Sequence, residues 1–369
     1  MQKNTIGCDI FCDVIDNFGD AGVCWRLARD IRKEKGWNVR FYINNLETLS
    51  AIEPRVDSEK VRQHAAGIEL LKWEYAERES PSDIVIETFG CRIPDPFEKR
   101  IAERNPSPIW INLEYLSAED WVEGCHTLPS PHPRYGTKKY FFFPGVTNKT
   151  GGIICETGLN EHRQLFKSKK EVFLKTIGAN PESPFNTFVF CYPSAPLKIL
   201  VEALASDRIP IQLLLAAGGA GKEIQELAKP YPHILCVPLP MLPQTDFDKL
   251  LWVADSLIIR GEDSFARAQL AGKPFIWNIY PQTEDTHIHK LTAFEDRLKP
   301  FYSQKNFELL KEINLAFNKG DSSFIELWRQ WRDATSELTE SAAAWEENLH
   351  SVGSLTENLC KFIESKLKS

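Results

Sequence analysis

Two successive series of short apolar runs, each followed by a stretch of helix length, leave this chain few ways to fold. In the first series, "CDIFCDVI" (8–15), "WNVRFYIN" (37–44), "GIELLKW" (67–73), "DIVIETF" (83–89) and "PIWINLEYL" (108–116) read as strands, and 22–35 reads as an amphipathic helix ending at Gly36. The rhythm breaks over 124–152, which holds Pro129, Pro131, Pro133, Pro144 and several glycines. After a helix at about 161–177 it restarts with "NTFVFCY" (186–192), "IPIQLLLAA" (209–217), "HILCVPLP" (233–240), "DSLIIR" (255–260) and "PFIWNIY" (274–280). Helical segments at 194–205, 221–229, 245–254 and 263–271 lie between these runs, and the tail reads as helices at 284–298, 304–318, 322–349 and 354–367. Strands alternating with helices imply parallel sheets covered on both faces. The expected class is therefore α/β, with two successive doubly wound domains and a site in the cleft.

Length agrees with two domains, because 369 residues exceed the roughly 250–300 at which a single core stops growing. A net charge of −7 shows no basic nucleic-acid footprint. No apolar run reaches the ~18 residues of a membrane span. Nine scattered cysteines fit reduced thiols, and the chain reads as cytoplasmic.

Ligands of open α/β sheets collect beyond the carboxyl ends of strands, and two motifs fall there. "VIDNFGDAG" (14–22) places Asp16 and Asp20 around Phe18-Gly19, where a first strand passes into a first helix. "RGEDS" (260–264) follows a strand and opens a helix: Gly261 permits a sharp exit, Asp263 or Ser264 can cap the helix, and Arg260 adds a cation beside its N–H groups. Together these make a plausible diphosphate cradle, against the plainer reading of a capped helix with a surface ion pair. Other signals are weaker. "GGAGK" (218–222) lacks the first glycine and the Ser/Thr of a P-loop and reads as a turn. His287 and His289, two apart on a helix, point to different faces and make a poor metal site. Cys8 and Cys12 read as alternating core thiols, and the run Tyr140–Phe143 as buried packing.

The segments "DNFGDAGVCWRLARDI", "WINLEYLSAEDWV", "FFFPGVTNKTGG", "LPQTDFDKLLWVAD" and "RGEDSFARAQLAGKPFIWNIYPQ" together resemble EarP, the family of protein-arginine rhamnosyltransferases that modify translation elongation factor P. The resemblance implies a GT-B fold, with two Rossmann-like domains facing a central cleft and C-terminal helices. It also implies a dTDP-β-L-rhamnose donor and an inverting transfer to arginine without a metal ion or other cofactor. The first domain, 1–178 completed by helix 351–369, would supply the base and dock the N-terminal domain of elongation factor P; the second, 179–350, would bind the donor. Residue by residue, the resemblance assigns catalysis to Asp16, Asp20 and Glu262. Donor contacts fall on Asn17, Phe18, Gly19, Tyr192, Gln244, Phe247 (stacking on thymine), Arg260, Asp263, Ser264, Tyr280 and Gln282.

These assignments make chemical sense. An arginine is a poor nucleophile while protonated, and a carboxylate can both hold the guanidinium and accept its proton. Asp20 is the expected base and Asp16 the orienting partner, with Arg260 and helix N–H groups neutralising the leaving diphosphate. The stretch from Glu114 to Gly152, with Tyr115 and Trp121, is the expected acceptor-docking surface, unless it merely covers the first sheet. Competing readings are another GT-B transferase or a nucleotide-sugar epimerase, and a non-catalytic module that binds elongation factor P or a nucleotide sugar.

Overall fold

The computed structural model describes residues 6–15 and 18–368. Asp16 and Asn17 lie outside the described residues, so the assignments made to them are not addressed below. The chain divides into two units, one of Met1–Thr157 with Leu349–Ser369 and the other of Gly158–Asn348. The segment 158–178, expected in the first domain, thus packs within the second unit.

The first unit runs β1 (Gly7–Cys12), α1 (Phe18–Lys35), β2 (Asn38–Ile43), α2 (Leu46–Ile52), β3 (Arg62–Ala65), β4 (Ile68–Lys72), β5 (Ile84–Thr88), α3 (Asp95–Glu103), β6 (Ile109–Leu113), α4 (Trp121–Cys125), β7 (Pro129–Pro131) and β8 (Lys138–Phe142). Its sheet has the order β3-β4-β2-β1-β5-β6-β8-β7. All pairs are parallel except those made by β3 and β7, the two edges. Alternation along β1 sends Cys8, Ile10 and Cys12 into one core and Phe11 into another, so both faces are covered. The first of these cores also contains Leu355, Leu359, Cys360 and Ile363, from the C-terminal end of the chain.

The second unit opens with α5 (Leu159–Lys167) and α6 (Lys170–Thr176), a break at Ser168-Lys169 replacing the single helix expected. It continues with β9 (Asn186–Val189), α7 (Leu197–Asp207), β10 (Ile211–Leu215), α8 (Gly219–Ala228), β11 (Ile234–Pro238), α9 (Gln244–Val253), β12 (Ser256–Arg260), α10 (Glu262–Leu270) and β13 (Phe275–Asn278). Its five strands are all parallel, in the order β11-β10-β9-β12-β13. Helices α11 (Thr286–Leu298), α12 (Gln304–Lys319), α13 (Phe324–Asp333) and α14 (Thr335–Val352) follow, and α15 (Leu355–Leu367) returns to the first unit.

Four local expectations change. Helix α1 begins at Phe18, a turn earlier than 22, because Phe18 packs against the core and Asp20 is buried in its first turn. "GGAGK" is not merely a turn: α8 starts at Gly219, and a Cβ on Gly221 would come 2.8 Å from the Ala216 carbonyl oxygen, so glycine lets the helix close on the strand. The stretch 124–152 holds the strands β7 and β8 instead of one irregular loop. The tail segment 322–349 is two helices that meet at Ala334.

Candidate functional site

Both sheets reverse their strand order beside their first strand: β1 lies between β2 and β5, and β9 between β10 and β12. The crevice at such a reversal, beyond the carboxyl ends of the strands, is where open α/β sheets take ligands. The candidate residues of each unit gather at this edge.

In the first unit, Asp20 is fully buried in the first turn of α1, where the helix end favours negative charge. Its Oδ2 accepts the Ile15 N–H at 2.9 Å, the backward reach that closes an N-terminal helix turn. Its Oδ1 accepts the Tyr115 hydroxyl at 3.1 Å. Tyr115 follows β6, and its ring lies flat on that of Phe89, with centroids 4.1 Å apart and an interplanar angle of 4°. Phe89 follows β5 at φ +58°, a conformation uncommon outside glycine, and its N–H is held by the Leu113 carbonyl at 2.6 Å. Tyr115, expected on a docking surface, also supports Asp20 through this bond. Trp121 does face solvent, 54% exposed, with its ring edge against Phe143. Phe18 and Gly19 share the first turn of α1 with Asp20.

The motif "FFFPGVTNKTGG" is accounted for by packing. A Cβ on Gly151 would meet Phe142 at 2.4 Å, and one on Gly152 (φ +78°) would meet the Gly353 carbonyl at 2.2 Å. Its aromatic residues Phe142 and Phe143 are buried, as the run was read, while Tyr140 is half-buried against Phe362 of α15.

In the second unit, the Arg260 guanidinium at the end of β12 lies between two rings, 4.6 Å from the Phe190 centroid and 4.4 Å from that of Tyr192. Both rings follow β9, and such stacking holds a cation without neutralising it. The Arg260 Nε is buried without a hydrogen-bond partner. Tyr192 meets Tyr280 edge-on at 5.3 Å, and its N–H is held by Asn278 Oδ1 at 2.9 Å. Tyr280 is 62% exposed, with a ring open to a ligand.

Gly261, at φ +71°, turns the chain sharply into α10 and is itself the residue before the first helical turn. Neither Asp263 nor Ser264 occupies the cap, as had been expected; Glu262, Asp263 and Ser264 form the first turn. The N–H groups of a first turn have no acceptor within their own helix and can turn to an anion.

Gln244 and Phe247 come from the first turn of α9, with Phe247 edge-on to Phe188 (5.5 Å) and Phe190 (6.1 Å). Gln282 is exposed, and its backbone N–H is accepted by His287 Nδ1 at 3.2 Å. Of the histidine pair, His287 is buried and His289 exposed, so they do point apart.

Sequence reasoning missed Phe190, which forms half of the bracket around Arg260. It also missed a buried bidentate pair, Arg267 Nε to Asp248 Oδ1 at 2.9 Å and Nη2 to Oδ2 at 2.8 Å, which ties α9 to α10. The signal available was a charge inside each of the stretches "FDKLLW" and "SFARAQL", Asp248 beside Lys249 in the first and Arg267 alone in the second.

The chain matches, over residues 8–364, the family described as Elongation-Factor P (EF-P) rhamnosyltransferase EarP. A protein-arginine rhamnosyltransferase of Pseudomonas putida is 38% identical over 352 residues, covering 91% of this chain and 93% of that protein. One of Shewanella oneidensis is 37% identical over 397 residues, covering 98% and 99%. A solved structure described as the basis for EarP-mediated arginine glycosylation of translation elongation factor EF-P superimposes with a TM-score of 0.68, at 24% identity over 98% of this chain and 99% of that one. A glycosyltransferase from Rickettsia africae does so at 0.57, with 11% identity over the full length of both chains. The fold is that of the GT-B glycosyltransferases. The chain belongs to the EarP family of elongation factor P rhamnosyltransferases.

Proposed function

We propose that this protein is an inverting glycosyltransferase that moves L-rhamnose from dTDP-β-L-rhamnose to an arginine side chain of translation elongation factor P. The observation that carries the reading is Asp20, a buried carboxylate whose two oxygens are fixed by the Ile15 N–H and the Tyr115 hydroxyl. A carboxylate has about four lone-pair sites, and these bonds orient it for a planar guanidinium. Held by Asp20, the guanidinium can lose a proton to it as its nitrogen bonds to the anomeric carbon. The bond from that carbon to the diphosphate oxygen breaks on the opposite face, and its electron pair leaves with dTDP. Asp16 assists in orienting the arginine, and Glu262 fixes the sugar through its hydroxyls.

Arg260, held between the rings of Phe190 and Tyr192, and the first-turn N–H groups of α10 stabilise the leaving diphosphate. No metal is needed in this scheme. Phe247 offers an aromatic surface to thymine; Gln244, Tyr280 and Gln282 complete the donor contacts, together with Asn17 and with Phe18 and Gly19 of the first turn of α1. The reaction runs in the cytoplasm, where the acceptor is made.

Incubation of elongation factor P with the enzyme and dTDP-β-L-rhamnose should add one deoxyhexose to an arginine, read by mass spectrometry, with release of dTDP that requires the acceptor. EDTA should leave the rate unchanged. Release of dTDP without acceptor would favour an epimerase or hydrolase, and binding without turnover a recognition module.

A further inference from the structure

A second collection of cations lies in the second unit, at the sheet edge opposite Arg260. The C-terminal end of α9 and the turn after α10 lead into the amino ends of β12 and β13. Together with α5, α6 and α14 they enclose a cavity of about 440 Å³. That volume lies within the range of small-ligand sites. Arg163, Lys167, Lys170 and Lys273 line it against one carboxylate, Glu346, and the half-buried ring of Trp252 forms a wall. In a chain of net charge −7, such a concentration of one sign is not a consequence of composition.

The cavity has a rigid frame. Arg163 donates to both Glu346 oxygens, at 2.8 and 2.6 Å, and to the Leu270 carbonyl at 3.1 Å, pinning the end of α10 to α14. Gly272, at φ +60°, completes the turn; a Cβ there would stand 2.5 Å from Glu346 Oε2. The frame consumes Glu346, the one carboxylate of the lining, and among the described residues Lys167, Lys170 and Lys273 make no salt bridge. Burial pushes the Lys273 ammonium below its ordinary range; Asp255 opposes this, while Lys170, Arg163 and Lys167 add to it. Asp255 is itself engaged, accepting the Asn186 N–H at 2.8 Å. Lys170 and Lys273 are half-buried and Lys167 is exposed, and like charges gathered in this way are an unfavourable arrangement that a bound anion would relieve.

We propose that this cavity is a second anion site, which seats a compact phosphorylated molecule of two or more negative charges between Lys167, Lys170 and Lys273 against the face of Trp252. The site is separate from the donor residues, which lie at the carboxyl ends of the same strands.

Titration calorimetry of the full chain with inorganic diphosphate, at fixed ionic strength, tests this. Arg260→Ala removes the donor-edge contribution and should leave one diphosphate site. Adding Lys170→Gln and Lys273→Gln in that background should weaken the site by at least about tenfold, since each substitution removes a charge-assisted hydrogen bond to the anion. Lys273→Arg should keep it. With Arg260 intact, the two glutamine substitutions should leave dTDP affinity within about twofold, which also reports that the chain is folded. The proposal is overturned if Arg260→Ala binds no diphosphate, or if the glutamine substitutions leave binding in that background unchanged; the lysines would then serve only the negative ends of α9 and α10. A failure of Arg260→Ala to weaken dTDP would count against the donor reading and leave this test intact.

Discussion

The two units place their candidate residues at the same point of similar sheets, yet the two edges are opposite in charge and in the way that charge is held. At the first, Asp20 is fully buried, and the Ile15 N–H and the Tyr115 hydroxyl, both neutral donors, hold its oxygens. At the second, Arg260 is held by ring faces, its Nε has no partner, and neighbouring Tyr280 faces solvent. Hydrogen bonds fix direction, which a base for a planar guanidinium requires. Ring faces keep a cation charged and leave its N–H groups to an incoming anion. The topology chooses the location, and the kind of support chooses the chemistry.

The largest effect expected from breaking this contrast is at Asp20. Asp20→Asn should lower transfer to elongation factor P by ~10²–10⁴, the usual contribution of a general base, with dTDP affinity unchanged. Turnover within about tenfold of the unaltered enzyme would remove Asp20 from the role of base. On the other edge, Phe247→Ala should weaken dTDP binding by ~1–3 kcal/mol, the worth of a base stacked on a ring, with the rate at saturating donor preserved. Calorimetry that gave an unchanged affinity would take Phe247 out of the donor site.

Tyr115→Phe sharpens the comparison, because it keeps the ring on Phe89 and deletes only the hydroxyl on Asp20. A positioning role predicts that kcat falls by roughly three- to tenfold, a net hydrogen bond of ~1 kcal/mol, with the donor KM unchanged. A change in donor KM alone would assign Tyr115 to binding.

A smaller effect separates the buried acids of the two units. Burial raises Glu87 to about 7 despite Lys139 and Trp110, with Glu98 adding to the rise. Burial raises Glu295 to about 8, Lys311 opposing and Asp296 adding. A carboxyl whose folded value is raised favours the native state below its unfolded value, near 4.5, and that contribution is lost as pH climbs through the folded value. Stability should therefore decline between about pH 4.5 and 8. Glu295 Oε1 is buried without a hydrogen-bond partner, whereas Glu87 accepts from Trp110 and Lys139. Glu295→Gln should thus raise the thermal midpoint at pH 8 by a gain on the order of 1 kcal/mol, with little change at pH 5. Equal shifts at both pH values would show that the carboxyl does not titrate.

Much of this architecture is legible in the sequence, because strands buried on both faces read as apolar runs wherever they lie. Every such run became a strand, and "RGEDS" lies at a strand end as expected. The edges were less legible. Strand β3, "RQHA", has no apolar pattern, and its pairing is seen in the contact of Arg62 with Glu69 across to β4. Strand β7 contains two prolines, which only an edge tolerates. The unit boundary was misplaced because α5 and α6 are amphipathic helices that could cover either sheet. At the candidate site, sequence gives the residue types at a strand end but not their neighbours in space. Phe89 and Tyr115 follow different strands, as Phe190 follows β9 and Arg260 ends β12, and only pairing β5 with β6 and β9 with β12 brings each set together.

The return of the chain through α15 has a consequence for biosynthesis. Leu355, Leu359, Cys360 and Ile363 belong to the same core as β1 and α1, almost two hundred residues after the rest of that unit ends at Thr157. A ribosome that has finished Thr157 has synthesised every strand of the first sheet but not the helix that seals one of its faces. The nascent first unit must wait, with part of its apolar face uncovered, until the whole of the second has been translated. The second is contiguous and can fold as soon as it emerges. The unit whose strands are made first thus receives its last core helix only after the whole of the second unit has been translated.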